Sequence, residues 1–358
     1  MEQRVAVLMA IDQQYATPLL VTVASLLESL RPGTGLDLYV MSSGLTPGTR
    51  GTLEGAWDDR VRFHWVPLDH RKLEALRVIG HVASPAANLR LLLGSSLPDN
   101  VPKVIYLDAD LLIRRDISGL WEQDMQDNIV LAVQDSYFQE LPARFLPARE
   151  HVEGARPYFN SGVMVVDLEA WRAGEIEQCC LAAATRLPHN IKYPDQHILN
   201  ICLAGRWGLL KPVWNKQFFL DLFPDWRCSP YEEEEYREAL SNPAIIHFCS
   251  RTKPWHSFCD HQRRDVLAYR AALRRSVPGA GLDATPSLGQ RTAEFFAAPH
   301  RRLLDVTAAT VRARRRKHAL RTMLPNILRL AIRHPWTLAT VPLSVVHERT
   351  ATWWSLVQ

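Results

Sequence analysis

The sequence predicts an open α/β sheet with helices on both faces, on three observations. Apolar, β-branched-rich runs of strand length recur along the chain, and helix-spaced apolar patterns lie between most of them. The composition, 47% hydrophobic and 22% charged over 358 residues, is that of an ordinary globular protein. A chain this long buries roughly 75% of the surface its unfolded form exposes, so neither disulfides nor a structural metal is needed to hold one large domain or two modest ones.

Val5–Ile11 is a continuous apolar run ending at Asp12, as expected for a strand buried on both faces. Thr17–Leu30 then carries helical spacing until Arg31-Pro32-Gly33 stops it. Further strands are expected at Leu36–Met41, Val61–Val66, Val104–Leu107, Ile129–Val133, Val163–Asp167 and Ala244–Phe248. Helices are expected at Leu73–Val78, Ala86–Leu93, Ile176–Arg186, Asp195–Leu203 and Gln262–Arg274. No repeat recurs at a solenoid-like period. Three units result: a body over residues 1–275, an aperiodic Pro- and Gly-containing linker over 276–289, and a tail over 290–358.

Charge divides the chain the same way. From Ala297 onward eleven Lys or Arg stand against Asp305 and Glu348, a balance of +9 within a total of +4, which leaves −5 for residues 1–296. Arg312–Arg321 is a dense basic cluster, and Leu324, Ile327, Leu328 and Ala331 share one helical face opposite Arg329 and Arg333. Pro325 suits the first turn of that helix, Pro335 ends it, and Trp336, Trp353 and Trp354 add interface-seeking rings. A basic amphipathic helical tail of this kind fits an anionic membrane surface, the alternative being a helical pair packed on the body or on a second subunit. No apolar stretch reaches the about 18 residues of a transmembrane span, so the membrane contact is expected to be peripheral. The flank Met1-Glu2-Gln3-Arg4 and the short run after it do not read as a secretory signal. Cys179, Cys180, Cys202, Cys228, Cys249 and Cys259 include no CxxC pair. The expected location is cytoplasmic, at the inner face of the membrane.

Val104-Ile105-Tyr106-Leu107-Asp108-Ala109-Asp110 places two carboxylates just past the carboxyl end of an apolar strand, the edge where ligands of open α/β sheets sit. Acids at i and i+2 can converge on a hard divalent cation, which in turn neutralises a diphosphate. Both acids are expected in a solvent-accessible cleft. Alone the pattern is weak, because acidic loop residues after a strand are common.

Five other segments strengthen it. They are Ala10-Ile11-Asp12-Gln13-Gln14-Tyr15, Arg90 in the preceding helix, Tyr158-Phe159-Asn160-Ser161-Gly162-Val163, Tyr193-Pro194-Asp195-Gln196-His197-Ile198-Leu199-Asn200, and His247-Phe248 with Lys253-Pro254-Trp255-His256. In this order and spacing, over roughly Val5 to Tyr269, the chain resembles glycosyltransferase family 8, the retaining nucleotide-sugar-dependent enzymes that include bacterial lipopolysaccharide galactosyl- and glucosyltransferases.

The resemblance implies a GT-A type open mixed sheet with a Rossmann-like nucleotide-binding half. It implies Mn²⁺ (or Mg²⁺) held by Asp108, Asp110 and His247, a mixed oxygen and imidazole set that suits manganese. It implies UDP-galactose or UDP-glucose as donor, bound through Asp12, Tyr15, Arg90, Asp108, Ala109, Asp110 and Lys253, the last stabilising the departing diphosphate. Arg90, Asp135, Asn160, Asp195 and Gln196 match positions around the transferred sugar. The acceptor implied is a glycan or glycolipid such as lipopolysaccharide core. Retention by front-face attack or through a covalent intermediate stays open, with Asp135 and Asp195 candidate nucleophiles by position and Gln196 a poor one.

Structural readings of the same residues compete. His247 follows an apolar run and could be a satisfied core histidine; Asn160 suits a turn; Asp195 suits a first helical turn for dipole reasons. Gln196 has no evident structural task at a helix start. Ser250 stands where many members of the family have glycine between the histidine and the lysine, Gln13 and Gln14 replace an acid or asparagine, and Asn88 replaces a common tyrosine. These changes bear on which donor fits. Among other functions, an aspartyl-phosphate phosphatase needs Thr or Val where Leu112 stands, and the motif near the start of the fold. A nucleic-acid-binding protein using Arg312–Lys317 leaves the ordered motifs of the body unexplained, so no nucleic acid is expected as a partner. A catalytically inactive glycan-binding protein on a transferase fold is the remaining alternative.

Overall fold

The computed structural model describes residues 3–76, 85–138, 140–141, 156–186, 193–223, 225–250, 252–257, 259 and 264–282. The tail over 290–358, with the basic cluster and the amphipathic segment, lies outside the described residues, as do residues 283–289 of the linker.

A seven-stranded mixed sheet organises the body. Its strands are β1 (Gln3–Ile11), β2 (Thr34–Ser42), β3 (Val61–Trp65), β4 (Lys103–Leu107), β6 (Val130–Gln134), β9 (Phe159–Asp167) and β10 (Trp207–Leu209), ordered β10-β6-β9-β4-β1-β2-β3. β1 pairs in parallel with β2 and β4, and β2 with β3, whereas β9 runs antiparallel between β4 and β6. Val5, Val7, Leu8, Met9 and Ile11 are buried on both faces of β1, which is why that strand reads as an unbroken apolar run rather than an alternating one. Edge strand β3 does alternate.

Alternate residues of the sheet feed two cores. One gathers Val7, Met9, Ile11, Leu36, Leu38, Ile105, Leu107, Val163 and Val165 beneath α1 (Ala16–Ser29). The other gathers Leu8, Val104, Tyr106, Met164 and Val166 beneath the 3-10 helix Pro85–Leu92, α6 (Leu168–Ala173), α7 (Ile176–Ala184) and α8 (Pro194–Cys202). Helices α2 (Pro47–Glu54), α3 (His70–Leu76), α4 (Leu93–Ser96), α5 (Ser118–Trp121) and α9 (Glu233–Ser241) complete the shell, and α10 (Arg264–Ser276) packs on α1.

Strand β10 and helices α2, α5, α6 and α9 were not expected from the sequence, and three further departures position the site. The expected helix Ala86–Leu93 is a 3-10 helix running into the short α4. The strand expected from Val163 begins at Phe159, so Asn160, Ser161 and Gly162 belong to β9 and Asn160 is no turn residue. The strand expected at Ala244–Phe248 is β12 (Ile245–His247), which lies outside the main sheet and pairs with β11 (Lys216–Gln217) and β5 (Leu111–Ile113) in a three-stranded sheet. β7 (Glu140–Leu141) and β8 (Arg156–Pro157) form a separate two-stranded pair.

Candidate active site

β4 ends at Leu107 and β5 begins at Leu111, so Asp108-Ala109-Asp110 is the turn between the two sheets. Backbone bonds pin it on both sides: Asp108 N–H donates to Gly162 O at 2.9 Å and Phe248 N–H donates to Asp110 O at 3.0 Å. From α1, Thr22 Oγ1 donates to Ala109 O at 2.8 Å and accepts from Leu111 N–H at 3.3 Å. Antiparallel pairing of His247 with Leu111 then swings the imidazole over the turn.

Asp108, Asp110 and His247 each present a ligand atom, and these atoms lie within 4.8 Å of one another. His247 Nε2 is 3.4 Å from Asp110 Oδ1 and 3.7 Å from Asp108 Oδ2. A side chain on Gly162 could not coexist with this, since a Cβ there would sit 2.2 Å from His247 Cε1 and 2.8 Å from Asp108 Oδ2. Two hard carboxylate oxygens and one imidazole nitrogen converging at the carboxyl end of a strand form a chemically coherent donor set for a divalent cation such as Mn²⁺.

The two acids are held differently. Asp108 is half-buried; its Oδ1 accepts from Arg90 Nη2 at 2.7 Å and from the Tyr106 hydroxyl at 3.0 Å. Asp110 is only 6% exposed, and its Oδ2 accepts from Lys253 Nζ at 2.5 Å. That burial corrects the expectation that both acids lie open to solvent, because the second sheet covers Asp110. Burial pushes the Asp110 carboxyl up, but Lys253 and His247 outweigh it and hold it well below the usual carboxylate range. Burial likewise pulls the Lys253 ammonium down, and Asp110 with Tyr15 more than restores it.

Arg90 is buried and fully engaged. Besides Asp108 it donates to Ser161 O at 3.1 Å and Ser161 Oγ at 2.8 Å, ion-pairs Asp195 at 3.2 Å, and lies over the Tyr106 ring. Burial raises the Asp195 carboxyl in spite of Arg90. Asp195 does stand in the first turn of α8, and the ion pair gives it a second task there. Tyr193, with φ of 53° in the left-handed region, and Pro194 at the first helical position set the angle at which α8 delivers Asp195 and Gln196.

Gln196 turns out to have structural work as well. Its Nε2 donates to Asp135 Oδ2 at 3.1 Å, and its Oε1 accepts from Ser161 N–H at 3.1 Å. Asn160 Nδ2 donates to the same Asp135 oxygen at 3.0 Å. Asp12 caps the 3-10 turn Gln13–Tyr15, its Oδ1 accepting from Gln14 N–H and Tyr15 N–H at 3.0 and 3.3 Å. Tyr15 packs edge-on against Trp255 at 5.8 Å, and burial raises its hydroxyl pKa. Gln13 ties this turn to α2 through Thr46 N–H and Thr49 Oγ1.

The structure therefore brings Asp108, Asp110, His247, Lys253, Arg90, Asp195, Ser161, Gln196, Asp135 and Asn160 into one connected polar region, with Tyr15 beside Lys253 and Asp110. Sequence reasoning missed Asn215, whose Oδ1 lies 3.0 Å from His247 Nδ1. An asparagine closing a short turn that begins at Pro212 carries the ordinary signature of a loop, and no local signal separates it from one.

A mixed sheet whose central strand ends in paired carboxylates, closed by a histidine from a second small sheet, is the architecture of the GT-A fold of glycosyltransferases. Residues 6–259 match glycosyl transferase family 8, and the chain belongs to that family. It is 30% identical over 261 residues to general stress protein A of Bacillus subtilis, covering 71% of this chain and 88% of that one. It is 24% identical over 268 residues to the lipopolysaccharide 1,2-glucosyltransferase of Escherichia coli, covering 74% and 76%. A crystal structure of the galactosyltransferase LgtC, solved with donor and acceptor sugar analogues, shares the fold with a TM-score of 0.63 at 23% identity, covering 81% of this chain and 99% of that one.

Proposed function

We propose that this family 8 glycosyltransferase is a retaining enzyme that moves galactose or glucose from a UDP donor to a glycan or glycolipid acceptor such as lipopolysaccharide core. The observation that carries the reading is the convergence of Asp108, Asp110 and His247 with the Lys253 ammonium packed against Asp110. Mn²⁺ or Mg²⁺ at those three residues would supply charge neutralisation for the departing nucleoside diphosphate. Lys253, paired with Asp110, is assigned the task of turning its ammonium onto that diphosphate. Asp12 and Tyr15 flank the end of β1, where the nucleoside of such a donor binds in open α/β sheets.

Asp135, Asn160, Asp195 and Gln196 are assigned to the sugar. Asn160 and Gln196 are both hydrogen-bonded to Asp135, Gln196 also to the Ser161 backbone, and Asp195 is paired with Arg90, so these side chains are fixed before a ligand arrives. In a front-face reaction a diphosphate oxygen takes the acceptor proton and no side-chain base is required.

The lipopolysaccharide-modifying relative supports the choice of acceptor class. The body over 1–275 is assigned the chemistry, and the tail over 290–358 an anionic membrane surface at the cytoplasmic face. Among the described residues no helix is long and apolar enough to cross a membrane. UDP-sugar hydrolysis with and without Mn²⁺, followed by a donor screen, tests the catalytic reading. Hydrolysis of UDP-galactose or UDP-glucose that requires the metal supports it; no turnover of any nucleotide sugar refutes it. For the tail, truncation after Gly289 is expected to leave hydrolysis near wild type while reducing vesicle binding and activity on a lipid-linked acceptor. Equal sedimentation of both forms with anionic vesicles sinks the membrane assignment.

A further inference from the structure

We infer that Asn215 is a positioning residue that fixes the His247 ring, holding a proton on Nδ1 so that Nε2 is the nitrogen offered to a cation beside the two carboxylates. The inference rests on the proposed cation site. It follows from the polarity of a chain of hydrogen bonds whose far end is a backbone amide.

Gly162 N–H can only donate, and it points at Asn160 Oδ1 at 3.1 Å, which makes that atom the carbonyl oxygen. The other terminal atom of Asn160 lies 3.0 Å from Asp135 Oδ2, an acceptor whose partner oxygen already takes Tyr137 N–H and Phe138 N–H at 2.8 Å each. The Asn160 amide is thus oriented from both sides.

Its oxygen lies 2.9 Å from a terminal atom of Asn215, which must then be the NH2 group, because two carbonyl oxygens at that separation repel. The remaining terminal atom of Asn215 is an oxygen, and it faces His247 Nδ1 at 3.0 Å. An amide oxygen only accepts, so Nδ1 carries the hydrogen. Nε2 is left to face Asp110 Oδ1 at 3.4 Å and Asp108 Oδ2 at 3.7 Å. With Nδ1 committed to Asn215, Nε2 is the ring nitrogen left to serve a cation placed between it and the two carboxylates.

Folding holds the device in place. Asn215 is 1% exposed, and Ala244 N–H donates to Val213 O at 2.9 Å, tethering the turn Pro212–Asn215 to the strand that carries His247. Because Gln196 donates to the same Asp135 oxygen as Asn160, the line of bonds runs unbroken from α8 to His247.

The test reads the tautomer in full-length protein saturated with diamagnetic Mg²⁺ by long-range ¹H–¹⁵N spectra of ¹⁵N-histidine, with His247 assigned by its loss in His247→Gln. A protonated Nδ1 and an unprotonated Nε2 are expected. Asn215→Leu removes the acceptor and should scramble that signature and weaken Mn²⁺ binding, measured by the resonance signal of the free ion, by about 10- to 100-fold. Asn215→Asp keeps an acceptor on Nδ1, at the expense of the bond to Asn160, and should retain the signature and Mn²⁺ affinity within about threefold despite a lower Tm. Wild-type His247 protonated on Nε2 overturns the inference. So does Mn²⁺ affinity in Asn215→Leu equal to wild type, or an equal loss in both variants in step with their Tm. A wild-type protein with the Nδ1–H signature that binds no Mn²⁺ overturns instead the cation reading on which the role depends.

Discussion

The two halves of the polar region are built on opposite principles. At the Asp108–Asp110 end, opposite charges stand against one another: Arg90 on Asp108, Lys253 on Asp110. At the Asp135–Gln196 end, neutral amides and a carboxylate accept and donate in a fixed pattern anchored by the backbone N–H groups of Ser161, Gly162, Tyr137 and Phe138. An ion pair can exchange one partner for another of like charge with little change in shape, whereas a directional amide network loses a bond with each displacement. The first end is suited to receiving a cation and a diphosphate, the second to holding a sugar in one orientation.

The largest expected effect comes from breaking the charged end. Asp108→Asn or Asp110→Asn should lower sugar transfer by at least about 1,000-fold and abolish the rise in Tm that Mn²⁺ with UDP gives wild type. Unequal stability sharpens the contrast between the two acids. Asp110→Asn strands a largely buried Lys253 and should destabilise the fold on the order of 3 kcal/mol, whereas Asp108→Asn leaves Arg90 its pair with Asp195 and should cost less, as read by urea denaturation. Unchanged turnover in both variants refutes the metal assignment.

Next is the amide end. Gln196→Ala should lower kcat by about 10- to 100-fold, about 1.4 to 2.7 kcal/mol of transition-state stabilisation, with UDP affinity changed less than about threefold. A loss of Tm with normal kcat would give this residue a structural role alone and erase the distinction between the two ends.

A smaller effect separates exchange from fixed structure at Lys253. Lys253→Gln removes the cation that shares Asp110, so Mn²⁺ alone should bind up to about threefold tighter while Mn²⁺ with UDP binds about tenfold weaker, measured by calorimetry. Both affinities falling together would make the lysine a structural strut.

The smallest effect is a flat line. Asp110 titrates below the ordinary carboxyl range, so its ionised form contributes stability above about pH 4 that is lost only as pH falls through the depressed folded value. The Tm difference between wild type and Asp110→Asn should hold steady from pH 8 to 5 and shrink below about 4. Asp195 is raised by burial, so its ionised form is penalised and that penalty is relieved as pH falls. A Tm difference that already shrinks between pH 7 and 5 would place Asp110 with Asp195 and not with the held ion pair.

The inner strands of the main sheet were legible because a strand buried on both faces writes itself as a continuous apolar run, as Val5–Ile11 does, whereas the three-residue edge strand β10 was not legible. Asp108 and Asp110 were legible for a related reason, since acids directly after such a run fall at the carboxyl end of a strand, where ligands of open α/β sheets bind. Motif order supplied His247, Lys253, Asn160 and Gln196 by resemblance, without their contacts. The β5–β11–β12 sheet was not legible as a separate layer, because each of its strands is two or three residues long and too short to show a period.

By itself the sequence determined the class of fold, the strand end that bears the acids, and the membership of glycosyl transferase family 8, all properties carried by contiguous residues or by their order. Tertiary structure alone decided that Asp110 is buried against Lys253, that Arg90 braces Asp108 and Asp195 at once, and that Asn215 orients His247. Each of these depends on side chains from strands and turns distant in sequence meeting within about 3 Å, where the sign and direction of each hydrogen bond are fixed by its neighbour.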